Sequence, residues 1–222
     1  MRPKGERIRQ KTQALTIIEV LVVVVVIALL VGLAVPWIQK SRTKANRLWC
    51  TSNLKGIGLG YRIWATDHTN RFPWQISSNA GGTLQFVSDV SQVWRHVAAI
   101  SNELSSPRTA FCPSDTERRE VRNFSEFNSN QNLSYFIGLG ASFESPKSIL
   151  SGDRNLLLEG SALLNQIITL SSNANVAFDQ RIHKTEGNVL LGDGSVQMLT
   201  STRLRDTVHD AAKVSTHTLM IP

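Results

Sequence analysis

Apolar residues fill the chain from position 15 to position 37, and this run carries a single charge, Glu19. At 1.5 Å of rise per residue, roughly 20 apolar residues in a helix cross a hydrocarbon core of about 30 Å. The valine block at 22–26 forms helix poorly in water. In lipid, however, a lone segment satisfies its backbone only as a helix. The pattern therefore predicts a membrane-spanning helix over residues 15–37. Pro36 has no N–H to donate and is expected to bend that helix or open its last membrane turn. Beyond residue 38 the apolar positions narrow to a stripe. Leu48, Leu54, Ile57, Tyr61, Trp64 and Ala65 recur at three- and four-residue spacings, so the helix should continue to about residue 66 and lay this face on a globular domain. Gly56, Gly58 and Gly60 weaken it by up to about 1 kcal/mol each relative to alanine. Close packing against a sheet or a neighbour would account for them, though the sequence names no partner.

After this helix the periodicity shortens. Residues 67–82 are rich in Asp, Asn, Pro, Ser and Gly and predict turns. A short helix follows, with Ser88 as its cap, Val90, Val93, Trp94, Val97 and Leu104 on its buried side, and Pro107 as its stop. Residues 109–115 predict a short strand running into a turn at Pro113. The charge run at 117–122 predicts a solvated loop, and the Asn-rich stretch at 123–132 another. Strands are expected at 133–139, at 155–159, and at 188–191 paired with 195–200 across the turn Gly192-Asp193-Gly194. Ser201 or Thr202 should start a last helix with Leu204, Val208, Ala211 and Ala212 on one side, and 214–222 is a strand or a loose tail. The fold class is α+β, with a leader at 1–14, a long helix at 15–66 and a globular domain at 67–222.

Charge changes this picture little. Arg2, Lys4, Arg7, Arg9 and Lys11 against Glu6 give the first 14 residues +4 of the chain's net +7, which leaves +3 for the remainder. That balance does not point to nucleic acid, and no nucleic-acid partner is expected. The basic leader is a topology signal. Lys40, Arg42, Lys44 and Arg47 follow on the far side of the span, so counting alone leaves orientation open. A secretory signal peptide would have a shorter apolar region ending in a small-x-small site. Here the run leads into Pro36, Trp37 and a helical pattern, as a retained anchor does. About 180 residues remain beyond it, enough for one domain with its own core.

Cys50 and Cys112 are the two cysteines. In a reducing compartment they are buried thiols; in an oxidising one they pair as a disulfide. No Cys and His spacing along the chain marks a metal site.

A basic leader followed by Ala14, Leu15, Thr16, two aliphatic residues and Glu19 resembles the prepilin peptidase site of type IV pilins and type II secretion pseudopilins. The family usually has Gly before the cut and Phe after it, where this chain has Ala14 and Leu15. The resemblance implies cleavage after Ala14, methylation of the new N-terminus at Leu15, and pairing of Glu19 with the terminal amine of a neighbouring subunit. It also implies a pilin-like fold, in which the long helix packs on an antiparallel sheet. The expected partners are other pilin-like subunits, prepilin peptidase, an inner-membrane assembly platform and the lipid bilayer. The chain would be a single-pass protein of the bacterial inner membrane with its C-terminal domain in the periplasm. A membrane-anchored periplasmic binding protein that never polymerises is the alternative.

A second resemblance reaches the body of the chain. Cys50 with Asn53-Leu54-Lys55, then Tyr61, Asp67 and Phe72-Pro73, is similar to the start of a large bacterial group of prepilin-like proteins. Phe111-Cys112-Pro113-Ser114-Asp115 and Ser134-Tyr135 recur in that group. So does a C-terminal motif of His, nine residues and Asp-Gly, present as His183 with Asp193-Gly194. Three roles are open to this motif. In the catalytic one, Asp193 orients His183 beside Ser195 or Ser161, but no Gly-x-Ser-x-Gly elbow is present, so no catalytic residue is assigned. In the second, by analogy with calcium-binding pseudopilins, Asp153, Asp179 and Asp193 supply oxygens to calcium, without EF-hand spacing. In the third, the role is structural: Asp193 caps the hairpin turn and His183 hydrogen-bonds a neighbouring loop. No other cofactor is expected.

Overall fold

A computed structural model describes residues 16–213 and 217–222 of the chain, with position 36 described as helical backbone only. The expectations for residues 1–15, including those for Ala14 and Leu15, lie outside the described residues. The chain divides into two compact units, Met1–Thr43 and Lys44–Pro222. Helix α1 runs Ile17–Asp67, so the division falls within it. The helix passes position 36 without a break: a single proline removes one backbone hydrogen bond, and the turns on either side carry the helix across. In the first unit the aliphatic side chains are exposed, and α1 is long and apolar enough to cross a membrane.

In the second unit α1 buries Cys50, Leu54, Ile57, Tyr61, Trp64 and Ala65. Leu48 was expected on this face but is exposed, because it lies about two and a half turns from Ile57 and so on the opposite side of the helix. The glycines have a partner. A Cβ on Gly58 would stand 2.9 Å from Leu190 Cδ1, and one on Gly60 would stand 3.1 Å from both Ile100 and Leu104.

The strands are β1 (Tyr135–Gly138), β2 (Ile149–Asp153), β3 (Leu156–Leu158), β4 (Ser161–Ala162), β5 (Gln166–Leu170), β6 (Val176–Phe178), β7 (Glu186–Leu191), β8 (Val196–Thr200) and β9 (His217–Ile221). Among the described residues they form a six-stranded sheet in the order β5-β9-β1-β2-β7-β8 and a three-stranded sheet in the order β4-β3-β6. All pairings are antiparallel. Helix α2 (Val93–Ala98) and helix α3 (Ser201–Ala211) complete the regular elements.

Side chains alternate across a strand, and here both faces of the inner strands of the large sheet are covered. Tyr135, Ile137, Leu150, Leu190 and Met220 pack with the α1 stripe, Phe72, Trp74 and the α2 residues Val93 and Val97. The residues between them in sequence, Phe136, Ile149, Val189, Leu191, Leu219 and Ile221, pack with Leu204 and Val208 of α3 and with Leu156 and Phe178 of the small sheet. This double burial makes an α+β fold in which α1 from Lys44 onward belongs to the globular core.

Several local expectations are corrected. Residues 109–115 form no strand; a 3-10 turn, Pro107–Ala110, leads into the expected turn at Pro113, where Asp115 N–H reaches Cys112 O at 2.8 Å. Ala110 O accepts from Ser134 N–H at 3.0 Å just ahead of β1, but among the described residues no ladder follows, and Asn53 Nδ2 donates to Phe111 O. The helix near residue 90 starts as a 3-10 turn, Val90–Gln92, capped by Asp89 rather than Ser88, and α2 is shorter than predicted. Helix α3 starts at Ser201, as expected, with Thr200 as its cap. The charge run at 117–122 is not wholly solvated. Arg118 donates to Leu133 O at 3.1 Å and to Pro222 O at 2.7 Å, and Glu117 accepts from Arg154 at 2.7 Å.

Candidate functional site

The first unit carries its chemistry at the start of α1. Thr16 N–H donates to Glu19 Oε2 at 2.8 Å, its hydroxyl donates to the same oxygen at 2.9 Å, and Glu19 N–H returns a bond to Thr16 Oγ1 at 3.4 Å. Threonine followed three residues later by glutamate is a capping box, and the reciprocal bonds serve N–H groups that a helix start leaves without partners. A carboxylate at a helix N-terminus also lies at the positive end of the helix dipole. Glu19 thus has a local structural role, one that the Thr16-x-x-Glu19 spacing ahead of the apolar run already marks.

The second unit gathers the remaining motif residues along β7 and around one disulfide. Cys50 and Cys112 are bonded, with their Cα atoms 5.1 Å apart, and the bond ties α1 to the segment before Pro113. Contacts between α1 and β7 advance in the same sense along both. Arg47 pairs with Glu186, Thr51 Oγ1 donates to Asn188 Oδ1 at 3.2 Å, and Gly58 faces Leu190. His183, just ahead of β7, places Nε2 at 3.4 Å from Cys112 Sγ and at 3.5 Å from Asp153 Oδ2. Asp153 Oδ2 also accepts from Asn188 N–H at 2.7 Å and Asn188 Nδ2 at 2.9 Å.

Burial controls this centre electrostatically. It pushes the Asp153 carboxyl up to about 7, against the downward pull of the Asn188 bonds and of Arg47. It pushes the His183 imidazole down to about 4, with Arg47 adding to the shift. Between those values both groups are uncharged, and their contact is then a polar one rather than an ion pair. Tyr135, raised well above the usual phenol range by burial and then by Asp153, lies in the same centre. Among the described residues, Asp153 Oδ1 and Ser134 Oγ are buried without a hydrogen-bond partner.

The C-terminal motif does not come together in space. His183 stands before β7 and Asp193 after it, so the six-residue strand, about 20 Å long, separates them. Asp193 caps the turn: its Oδ1 accepts from Ser195 N–H at 2.8 Å, and Gly194 N–H reaches Leu191 O at 2.9 Å with φ of 84°. Asp193 faces an open cleft of about 380 Å³ lined also by Lys55, Arg62 and Phe143. Among the described residues the partners of His183 are Cys112, in the loop before Pro113, and Asp153. Neither Ser161, on β4, nor Ser195, in the turn, is among those partners.

The three calcium candidates hold separate partners. Asp153 is bonded to Asn188, Asp193 caps its turn, and Asp179 accepts from Arg181 N–H at 2.8 Å and Arg181 Nε at 2.5 Å. Among the described residues, the ligand atoms that converge on one point belong instead to Cys50, Cys112 and His183, within 4.8 Å of one another. Spacing along the chain could not reveal this group, because its members come from three distant segments.

Sequence reasoning also missed Arg154. Its guanidinium is fully buried and takes Asp115 in a two-pronged bond, with Glu117 as a further partner. A signal was present: Asp153-Arg154-Asn155 is a polar triplet set between Ile149-Leu150 and the leucines at 156–158. Such an interruption of an apolar strand pattern marks buried, paired polar groups.

No protein-family model, no curated protein and no solved structure matches this chain.

Proposed function

We propose that the chain is a pilin-like structural subunit, a pseudopilin of a type II secretion or type IV pilus-like filament. Prepilin peptidase removes residues 1–14, and the apolar part of α1 then holds the subunit in the bacterial inner membrane with the C-terminal domain in the periplasm. Assembly withdraws α1 from lipid and packs it against the α1 helices of neighbouring subunits. The observation that carries this reading is an exposed apolar helix whose one charge up to Trp37 is an acid in its first turn. A lone carboxylate costs about 2.5–3.5 kcal/mol at mid-membrane and less near the interface, where Glu19 could instead sit among the headgroups. In this reading the partner is the free α-amine at Leu15 of the next subunit. Thr16 holds Glu19 until that amine arrives. A disulfide suits an oxidising compartment such as the periplasm.

The test is the intact mass of the protein isolated from native membranes. The expected product begins at Leu15 and carries one methyl group on its terminal amine. A product that keeps residues 1–14 overturns the reading and favours an anchored, non-polymerising protein.

A further inference from the structure

We propose that, when its two cysteines are reduced, the centre formed by Cys50, Cys112, His183 and Asp153 is a closed binding site for one thiophilic divalent cation of the zinc class. The geometry is already close to the one such an ion requires. Zinc takes thiolate sulfur at about 2.3 Å and imidazole nitrogen or carboxylate oxygen at about 2.0–2.2 Å, so neighbouring ligands in a tetrahedron stand about 3.3–3.8 Å apart. Cys112 Sγ and His183 Nε2 are 3.4 Å apart, and His183 Nε2 and Asp153 Oδ2 are 3.5 Å apart. Cys50 Sγ, Cys112 Sγ and His183 Nε2 lie within 4.8 Å of one another, and the two sulfurs, joined by a covalent bond, must separate to ligate.

A second observation points to a ligand. Asp153 Oδ1 is buried and, among the described residues, has no hydrogen-bond partner. Buried polar atoms are satisfied in the great majority of cases, so an unsatisfied buried carboxylate oxygen beside a thiol and an imidazole points to a guest. Asn188 supplies the orienting contact that ligating carboxylates need, since it holds Asp153 through both its backbone and side-chain N–H groups. All four ligand residues are buried. Four protein ligands with no open position make a structural site rather than a catalytic one.

The chemistry balances with a dithiol as reductant. The Cys50–Cys112 bond accepts two electrons and two protons, and the dithiol is oxidised to a disulfide. The cation then displaces one proton from each thiol. In the oxidised chain a covalent bond joins α1 to the segment before Pro113; in the reduced chain the metal makes that same link. The site therefore serves the subunit before its cysteines are oxidised, and it does not depend on filament assembly.

The experiment titrates Co²⁺ into the full-length protein in detergent micelles, with the disulfide intact or reduced by a dithiol that is then removed. The reduced protein should take up one Co²⁺ with thiolate-to-cobalt charge-transfer absorption and tetrahedral d–d bands, and Zn²⁺ should displace it. The oxidised protein should show neither band. His183→Gln and Asp153→Asn should each weaken binding about tenfold or more. Zn²⁺ should also protect both thiols of the wild-type protein from alkylation, a readout that needs no variant. The proposal is overturned by a reduced protein that keeps its near-ultraviolet circular dichroism yet shows no charge-transfer band. It is overturned equally by cobalt affinity unchanged in both variants, or by thiols alkylated equally fast with and without Zn²⁺.

Discussion

Arg154 and Asp115 meet in a buried two-pronged pair, Nε to Oδ2 and Nη2 to Oδ1 both at 2.8 Å, with neither side chain exposed. Asp115 closes the segment that begins at Phe111, and Arg154 follows β2, so the pair fastens the disulfide-bearing segment to the sheet. Removing one member of such a pair leaves the other charged and unpaired in the interior. Arg154→Met should destabilise the protein by about 3–5 kcal/mol, and replacing Asp115 by Leu as well should recover a large part of that loss. Urea unfolding of the full chain in micelles measures both. A single variant within about 0.5 kcal/mol of wild type would show that the pair is not integral to the fold.

Gly192 sits where backbone oxygens crowd. A Cβ there would stand 2.5 Å from Ser142 O and 2.6 Å from Ser145 O, neither of which yields as a flexible side chain does. Gly192→Ala should cost about 1–3 kcal/mol through forced displacement of that loop. Gly194 has open space but a φ of 84°, a conformation that asparagine tolerates. Gly194→Asn should therefore stay within about 0.5 kcal/mol of wild type. The reverse ranking in thermal unfolding would refute the crowding argument.

His96 couples stability to acid. Its ring is buried, with Nδ1 at 2.7 Å from Thr83 Oγ1, and burial pushes its pKa down to about 4 from an ordinary 6.5. The unfolded chain then binds the proton first, so stability present above about pH 6.5 is lost as pH falls toward 4. One such group contributes about 1.4 kcal/mol per pH unit, or about 3 kcal/mol over the window. His183 shifts in the same direction and Asp153 in the opposite one, so over this range those two offset each other and His96 sets the slope. His96→Asn should flatten stability between pH 6.5 and 4.5, as read from urea midpoints. An unchanged slope would place the dependence elsewhere.

Glu19 has two separable roles, as a helix cap and as a charge. Glu19→Gln keeps an acceptor for Thr16 N–H at the third helical position, where glutamine also closes a capping box. Glu19→Ala removes both the acceptor and the charge. If the charge pairs with a neighbour's amine, both variants should insert in the membrane, and both should fall at least a hundredfold in filament incorporation. That is the scale of breaking a buried ion pair, about 3–5 kcal/mol. Glu19→Gln incorporating like wild type would reduce Glu19 to a cap.

The α+β class, the long helix, the β7–β8 hairpin and the start of α3 were legible because each has a local cause. A 3.6-residue stripe marks Leu54, Ile57 and Tyr61, and Gly-Asp-Gly marks the hairpin turn. Strands β2, β5 and β6 were not legible. Ile149–Asp153 is buried on both faces and ends in Ser-Gly-Asp, which looks like a turn until Asn188 is seen to satisfy the aspartate. Gln166–Leu170 is an edge strand, largely exposed, with no apolar alternation to announce it. Leu48 was misplaced although its nine-residue spacing from Ile57, two and a half turns, already sets it on the other side of the helix.

Covalent order alone accounts for the apolar span, the acid within it and the continuation of the helix, since each depends on residues within a few turns of one another. The disulfide partners, the meeting of His183 with Asp153 and Cys112, and the separation of His183 from Asp193 required the folded chain. Those relations join segments tens of residues apart, and burial resets the proton affinities of His183 and Asp153 through a low-dielectric surrounding that no local window contains.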